Sequence, residues 1–113
     1  MNEALRVSVE PVILALLGQQ PDHGYSLMLR IRATMDVDLS DGSLYPALKR
    51  LEESGRIEGT WETPQGERRR KVFHLTEEGR SSLNRARDYW PELVKRLGGL
   101  LSPGAEPIDV PAK

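Results

Sequence analysis

The side chains with the clearest chemical potential in this sequence are two separate groups of cations. One is an unbroken run of four basic residues, Arg68, Arg69, Arg70 and Lys71, and the other is the pair Lys49 and Arg50. Cations of this kind neutralise phosphates, although a charge run is more often a solvated face. Sixteen basic residues stand against seventeen acidic ones, a net charge of −1. A nucleic-acid hypothesis must therefore rest on where the cations lie, because the total charge does not support it.

Residues that would carry catalysis or bind a metal are scarce. The 113 residues include no cysteine and only two histidines, His23 and His74, neither with a carboxylate at a meaningful spacing. No glycine-rich loop that would hold a phosphate is present. We therefore expect no enzymatic activity, no cofactor and no bound metal.

The sequence also lacks the marks of export or membrane insertion. Its first residues contain no apolar signal region, and no segment approaches the roughly 18 consecutive apolar residues that a bilayer crossing needs. A chain of this length fits one domain. We expect a cytoplasmic protein with no membrane partner.

Hydrophobic spacing predicts two helices that support the rest of the fold. The first begins near Ser8, places Pro11 in its first turn and ends at Gly18. After a turn, Asp22 caps a second helix over about residues 24–35. Three apolar residues of this helix face the core, and two arginines are expected on its outer side: Leu27, Met28, Ile31, Arg30 and Arg32.

The third predicted helix carries the cleanest pattern in the chain. Leu44, Ala47, Leu48 and Leu51 recur at i, i+3, i+4 and i+7, which indicates one buried face. A proline is tolerated in a first turn, so Pro46 favours a cap at Gly42 or Ser43. Gly55 is expected to end the helix in a left-handed conformation.

After the third helix the apolar period changes from 3.6 to 2. Ile57, Gly59 and Trp61 alternate with polar residues. After a turn at residues 64–67, Lys71, Phe73 and Leu75 alternate with Val72 and His74. The pattern predicts two antiparallel strands joined by a basic tip, with Arg68 to Lys71 on the strand that follows the turn. His74 is expected on the face opposite Phe73 and Leu75.

A fourth helix follows, with Thr76 as its N-cap. Pro91 is expected to kink or divide it, because an interior proline costs about 3 kcal/mol unless the chain bends. Gly98 and Gly99 are expected to loosen its end. Residues 102–113 have almost nothing to bury, and we expect a disordered tail there.

Three helices followed by a two-stranded hairpin is the order of a winged helix-turn-helix, in which the third helix enters the major groove of DNA. Opposite the leucine stripe, this helix presents a small leading end and then cations. We therefore predict a mainly α protein with a small β-hairpin: a winged-helix DNA-binding domain over residues 8–76 and a C-terminal dimerisation helix over 77–101. The predicted DNA-binding residues are Tyr25, Ser43, Tyr45, Pro46, Lys49, Arg50, Arg68, Arg69, Arg70 and Lys71.

These residues and their order resemble the PadR family of transcriptional regulators, in its short form with a single C-terminal helix. The resemblance covers about residues 8–97. It is carried by the run from Pro21 to Leu27, the run from Gly42 to Glu52 with its Tyr45–Pro46 pair, the Gly66–Lys71 wing, and Leu75, Thr76, Gly79 and Arg80. The resemblance implies a homodimer that binds duplex DNA and represses nearby genes under the control of a ligand.

Two other functions share this fold. A MarR-like or ArsR-like regulator is one alternative, and the Tyr45–Pro46 pair with the single C-terminal helix favours the PadR type over it. A winged helix that contacts only proteins is the other, because fold does not settle function. Four adjacent cations favour DNA, since a protein-docking wing has no need of them.

The apolar residues of the fourth helix form the predicted dimer or effector surface: Leu83, Ala86, Tyr89, Trp90, Leu93 and Leu97. A monomer would leave this stripe largely in water, so we expect it to pair with its copy across a two-fold axis. Two copies of Trp90 near that axis would suit a small planar aromatic effector. A packing role for Trp90 is the favoured interpretation, because aromatic stripes on helices usually mean burial.

Overall fold

The computed structural model describes the backbone of residues 3–111 and the side chains of residues 9–111. Its elements follow one another as α1 (Glu3–Gln19), β1 (Asp22–His23), α2 (Gly24–Met35), α3 (Asp41–Glu53), β2 (Ile57–Glu62), β3 (Arg70–Leu75) and α4 (Glu77–Leu101). The prediction of a mainly helical chain with a small β-hairpin is confirmed.

The hairpin is part of a three-stranded antiparallel sheet in the order β1-β3-β2. In the hairpin, Ile57 lies opposite Leu75 and Trp61 lies opposite Lys71. Strand β1 pairs with the other edge of β3 through Asp22 and His23. The sequence did not predict β1, because two residues are too few to show an alternating pattern.

The core forms where α1, α2 and α3 meet the sheet. All four residues of the leucine stripe on α3 are buried, as predicted. Ile13, Leu27 and Ile57 bring α1, α2 and β2 into the same cluster. At the end of α3, Gly55 has φ of 75°, the left-handed conformation expected of a helix stop.

Helix α3 begins earlier than predicted. Its N-cap is Ser40, whose carbonyl accepts from the N–H groups of Ser43 and Leu44 at 3.1 Å each, so the expected cap at Gly42 or Ser43 is wrong. Pro46 consequently lies inside the helix and not in its first turn. The proline removes one hydrogen bond, to the carbonyl of Gly42, and Gly42 is exposed, so water can satisfy that carbonyl.

Helix α1 also begins earlier than predicted, at Glu3, so Ser8 lies within the helix and does not cap it. Pro11 is again an interior proline. The residues before Ser8 contain no helix breaker, and the loss of one hydrogen bond at Pro11 does not end the helix. At the other end, α1 extends one residue past Gly18 to Gln19.

The start of α2 is capped by His23 and not by Asp22. Nδ1 of His23 accepts from the N–H of Ser26 at 3.5 Å, and Asp22 accepts from the N–H of His23 at 2.9 Å. The expectation that both arginines of α2 lie outside is also wrong. Arg30 donates to the carbonyl of Leu16 at 3.1 Å, and Arg32 donates to the carbonyl of Leu39 from both Nε, at 3.1 Å, and a terminal nitrogen, at 2.7 Å.

Thr76 caps α4 as predicted, since its hydroxyl oxygen accepts from the N–H of Gly79 at 3.1 Å. Pro91 lies within one continuous helix, so the expected division of α4 is wrong, and Gly98 and Gly99 also remain helical. Residues 103–111 are exposed and have no regular secondary structure. None of the helices in the described part of the chain is long and apolar enough to span a membrane.

The first turn of α4 is fixed by a close backbone contact. A Cβ on Gly79 would collide with the carbonyl oxygen of Arg56, which also accepts from the N–H of Thr76 at 3.2 Å. We expect Gly79→Ala to lower the free energy of unfolding by at least about 1–3 kcal/mol, because backbone has to move to accept the methyl group. Urea denaturation followed by circular dichroism measures the change.

The matched control is Gly98→Ala, also in α4, where an added Cβ would meet no atom within 4 Å. Here alanine should stabilise the helix by up to about 1 kcal/mol through its higher propensity. Equal changes in the free energy of unfolding for Gly79→Ala and Gly98→Ala would contradict a tight contact between α4 and the Arg56 carbonyl.

Candidate nucleic-acid interface

Helix α3 turns its polar face to solvent, as the helical period predicts. Pro46 and Lys49 are exposed on this face, and Ser43 at its leading end is half-buried. Lys49 pairs only loosely with Glu53, at 3.9 Å between Nζ and Oε1, and both side chains are largely exposed. A surface pair of this kind is worth little, so the ammonium group of Lys49 can exchange Glu53 for another anion.

Arg50 lies at the edge of the same face. Its Nε donates to Oε1 of Glu10 on α1 at 3.3 Å, and Arg56 approaches the same carboxylate oxygen at 3.8 Å. Glu10 is therefore shared by two arginines. Arg50 remains more than half exposed, so the contact orients it without removing it from solvent.

Two exposed tyrosines lie where α2 begins beside α3. The ring of Tyr45 covers Gly24 so closely that a Cβ there would lie 2.8 Å from Cε1. Tyr45 remains 46% exposed, and Tyr25, the neighbour of Gly24, is 60% exposed. The sequence prediction included both tyrosines but not Gly24, because the contact joins residues of different helices.

The basic run divides into two pairs with different surroundings. Arg68 and Arg69 lie in the loop between β2 and β3, so the prediction that the whole run is on the strand is wrong for them. Both are exposed, and neither forms an ion pair with any residue that the structure describes. The guanidinium carbon of Arg69 lies 4.5 Å from the ring centroid of Trp61.

Arg70 and Lys71, by contrast, are held within the protein. Arg70 pairs with Glu67 at 3.3 Å and lies 3.3 Å from Nε2 of His23. Nζ of Lys71 lies 2.8 Å from Oε2 of Glu52 on α3, and both side chains are partly buried. This ion pair fixes the wing strand against the helix that carries Lys49. Sequence reasoning missed Glu52 because nothing in the local pattern of α3 identifies a partner on β3.

A buried carboxylate fixes the start of α2. Asp22 accepts from the hydroxyl of Ser26 at 2.7 Å and pairs with Arg30 at 2.9 Å. Burial on its own raises the pKa of the Asp22 carboxyl, but the hydrogen bonds from Ser26, Arg30 and the N–H of His23 outweigh it, so the net effect is a pKa below the usual 3.8. Asp22 therefore stays charged and holds β1 against α2.

The predicted surface on α4 divides near its midpoint. Leu83 and Ala86 are buried against the core of the same chain, so the expectation that a monomer leaves the whole stripe in water is wrong for them. The apolar residues that remain about half exposed or more belong to the second half of α4: Tyr89, Leu93, Val94, Leu97, Leu100 and Leu101.

Trp90 lies where the two halves of α4 meet. Its side chain is only partly exposed, and its buried Nε1 has no hydrogen-bond partner among the described residues. It lines an apolar groove of about 330 Å³ between α1 and α4, together with Val12, Leu16 and Met35. It also borders a more polar cavity of about 250 Å³ that Arg56 and Arg85 reach. Among residues 3–111, no cluster of three potential metal ligands exists.

The family model of the transcriptional regulator PadR-like family matches residues 13–85, which span the core of α1 through the first turns of α4. The chain belongs to the PadR-like family. The MarR-like and ArsR-like alternatives are thereby set aside. A comparison with curated proteins found no match.

Solved structures agree with this family. A transcriptional regulator from Clostridium thermocellum is 25% identical, with a TM-score of 0.78 over 89% of this chain and 100% of that chain. A PadR-like transcriptional regulator from Bacillus cereus is 28% identical, with a TM-score of 0.77 over 89% of this chain and 98% of that one. A structure described as a putative transcriptional regulator from Thermoplasma acidophilum is 26% identical, with a TM-score of 0.79 over 96% of this chain and 100% of that chain. This PadR-like chain is thus similar to transcriptional regulators along nearly its whole length.

The buried carboxylate of this PadR-like chain makes a pH-dependent contribution to stability. We expect Asp22→Asn to lower the free energy of unfolding at pH 7 by about 1–3 kcal/mol, because Arg30 loses its charged partner. The folded pKa is depressed, so the contribution of Asp22 is present above the unfolded value of 3.8 and is lost as pH falls through the lower folded pKa. The difference in the free energy of unfolding between the parent and Asp22→Asn should therefore become smaller below pH 3.8, as measured by urea titrations.

The control for this prediction is Asp38→Asn. Asp38 is almost fully exposed and lies 3.7 Å from Arg32, so the same chemical change should alter stability little at any pH. The lowered pKa of Asp22 would be contradicted if the difference in the free energy of unfolding between Asp22→Asn and the parent stayed constant from neutral to strongly acidic pH.

Proposed function

We propose that this PadR-like regulator binds duplex DNA sequence-specifically as a cytoplasmic homodimer and represses transcription. The observation that supports the proposal best is the arrangement around α3: its exposed face carries Lys49, and the Glu52–Lys71 ion pair holds the wing beside it. In the proposal, the exposed cations of the wing loop, Arg68 and Arg69, flank this helix. We propose that these two basic groups, which are separate in sequence, act as one DNA-binding surface.

In the proposed complex, α3 enters the major groove and the wing contacts the flanking backbone or minor groove. Ser43 and Tyr45 lie at the leading end of the helix, where a hydroxyl can reach phosphates or base edges. Lys49 and Arg50 follow one turn later and supply donors for base acceptors. Pro46 offers an apolar surface between them.

The structure also changes the roles that we assign within the basic run. Arg70 and Lys71 already have partners inside the protein, so we assign them to positioning the wing. Arg68 and Arg69 have no ion pair with a described residue, and we assign them to phosphates. This arrangement favours DNA over a purely protein-binding wing, because a protein-docking surface has no need of uncompensated arginines at its tip.

The exposed half of α4 supports the homodimer. Leu93, Leu97 and Leu101 recur at helical spacing and are all about half exposed or more. The apolar groove beside Trp90 lies between α1 and the part of α4 that precedes these leucines. We propose that α4 of one protomer packs against α1 and α4 of its partner, because a two-fold axis would bury both surfaces at once.

A small planar aromatic effector is our proposal for the same region. The groove is lined mainly by apolar side chains, and the indole of Trp90 forms part of its wall. Flat aromatic molecules suit a surface of this kind. An effector there would change DNA affinity only if it favoured one arrangement of the two α3 helices over another.

DNA binding is tested with a labelled duplex from the region upstream of the protein's own gene and with a random duplex of equal length. Lys49→Ala should weaken binding to the upstream fragment by about 1–3 kcal/mol, because a donor to base or phosphate acceptors is lost. Its thermal stability should be unchanged, since Lys49 is exposed. Leu48→Ala removes a buried side chain and should destabilise the domain by about 2–5 kcal/mol.

In the same assay, the double variant Arg68→Ala with Arg69→Ala should weaken binding to both duplexes. The salt slope should fall by roughly one unit per lost phosphate contact. Arg80→Ala, which removes an exposed arginine in the first turn of α4, is the control and should leave the slope unchanged. An unaltered slope in the double variant would remove the wing from the interface, and full affinity of Lys49→Ala would show that another face of α3 reads the DNA.

The dimer is tested by introducing a charge into its proposed contact. Leu97→Glu should yield monomers in analytical ultracentrifugation, because a carboxylate cannot be buried there without a partner. Lys95→Glu changes the charge further at a neighbouring exposed position and should leave the dimer intact. Dissociation by both variants, or by neither, would contradict a specific apolar contact at Leu97.

The effector is tested by fluorescence in the Trp61→Phe background, where Trp90 is the sole tryptophan. Titration with planar cationic and neutral aromatics should give saturable quenching and should shift the affinity for the upstream duplex. The absence of saturable quenching, together with dissociation of the dimer by Trp90→Ala, would make Trp90 a packing residue only.

A further inference from the structure

A large aromatic side chain stands exposed on the wing. Trp61 is in β2 and is 54% exposed, although indole is a large apolar surface to leave in water. Two cations approach its ring: Cζ of Arg69 at 4.5 Å from the centroid and Nζ of Lys71 at 5.9 Å. Both distances lie within the roughly 6 Å range of a cation–π interaction, and Arg69 is much the closer.

The contacts of Trp61 connect the wing loop to α3. Trp61 lies directly opposite Lys71 in the hairpin register. The ammonium group of Lys71 is fixed by Glu52 of α3 at 2.8 Å. Glu52, Lys71, Trp61 and Arg69 therefore form a continuous series of contacts from the helix to the loop. A change at Trp61 removes the connection between Lys71 and Arg69.

Stacking on an indole suits an arginine that has to bind something else. The guanidinium group is planar, and a ring against its face leaves the N–H donors at its edge unused. Arg69 has no ion pair with a described residue, whereas Arg70 beside it is paired with Glu67. Holding the side chain in place before binding lowers the conformational entropy that is lost when an anionic partner arrives.

We propose that Trp61 is a positioning residue for DNA binding, which holds the guanidinium group of Arg69 beside α3 so that its free edge meets acceptors of the duplex. This inference rests on the proposed DNA-binding function. A tryptophan that only stabilised the hairpin would contribute to folding, but its contribution to DNA affinity would not depend on Arg69. The dependence on Arg69 is therefore the property to measure.

The experiment is a double-mutant cycle on the full chain with Trp61→Leu, Arg69→Ala and the combined variant. Affinity is measured for the upstream duplex and the random duplex, and thermal unfolding is measured for each protein. Trp61→Leu should weaken DNA binding about two- to fivefold, the range that cation–π energies at exposed sites correspond to. In the Arg69→Ala background the same change should have no further effect. Trp61→Phe should retain most of the affinity, because it keeps an aromatic face.

A second readout needs no DNA. The Arg69 side-chain protons should show an upfield ring-current shift in the NMR spectrum of the parent protein, and this shift should disappear in Trp61→Leu. A second cycle with Arg80→Ala and Trp61→Leu is the control. The fold-change in affinity of its double variant should equal the product of the two single fold-changes.

Independent effects of Trp61→Leu and Arg69→Ala on affinity, with DNA binding intact in the parent, would overturn this inference and leave the proposed function standing. Unshifted Arg69 protons in the parent would also overturn the inference alone. A parent protein that binds neither duplex, under conditions where it is folded, would overturn the proposed function and this inference together.

Discussion

The position of β3 between β1 and β2 is the constraint on which the rest of the structure depends. Hydrogen bonds along both of its edges join the start of α2 to the wing. Phe73 and Leu75 anchor the strand in the core, while Lys71 reaches α3 through Glu52. One strand therefore ties the base of the wing to both helices. The orientation of the wing relative to α3 is thus set by packing and pairing together.

The electrostatic properties of this protein depend on which charged side chains are paired, because the net charge is close to zero. A net charge of −1 gives no overall attraction for nucleic acid. Many arginines and lysines are committed to internal partners, as Arg30 is to Asp22 and Lys71 is to Glu52. The wing-loop arginines have no ion pair within the described residues, a property that they share with several exposed cations of α4, but they are adjacent to each other in the chain. An electrostatic interaction with DNA would be local, and so it would depend strongly on the geometry of that loop.

The two halves of α4 have different physical roles. Its first half buries Leu83 and Ala86 against the core and is fixed by the contact of Gly79 with the Arg56 carbonyl. Residues 91–101 are exposed along their whole length. The helix is continuous through Pro91 because only one hydrogen bond is lost there and its neighbours are open to water. One helix therefore connects the folded core to an apolar surface that has no partner within the described chain.

The sequence by itself determined the order of the four helices and the hairpin, and the apolar faces of the helices. Residue spacing was sufficient for this, because the periods of 3.6 and 2 reflect local backbone geometry. The leucine stripe of α3, the left-handed stop at Gly55 and the Thr76 cap all followed from neighbours in the chain. The family resemblance rested on the same local motifs, and the family match confirmed it.

Only the tertiary structure decided which of these side chains already have partners within the protein and which remain exposed to a ligand. The predicted starts of α1 and α3 were wrong because each helix continues past its proline towards the N-terminus. The free-energy cost of one interior proline is then smaller than the stabilisation that the extra turn of a well-packed helix provides. The division of the basic run into free and paired cations depends on Glu52 and Glu67, and the burial of Leu83 depends on α1. These contacts join residues that are distant in the chain or on different elements. A side chain's partners are fixed by packing, whereas local spacing fixes only the direction in which it points.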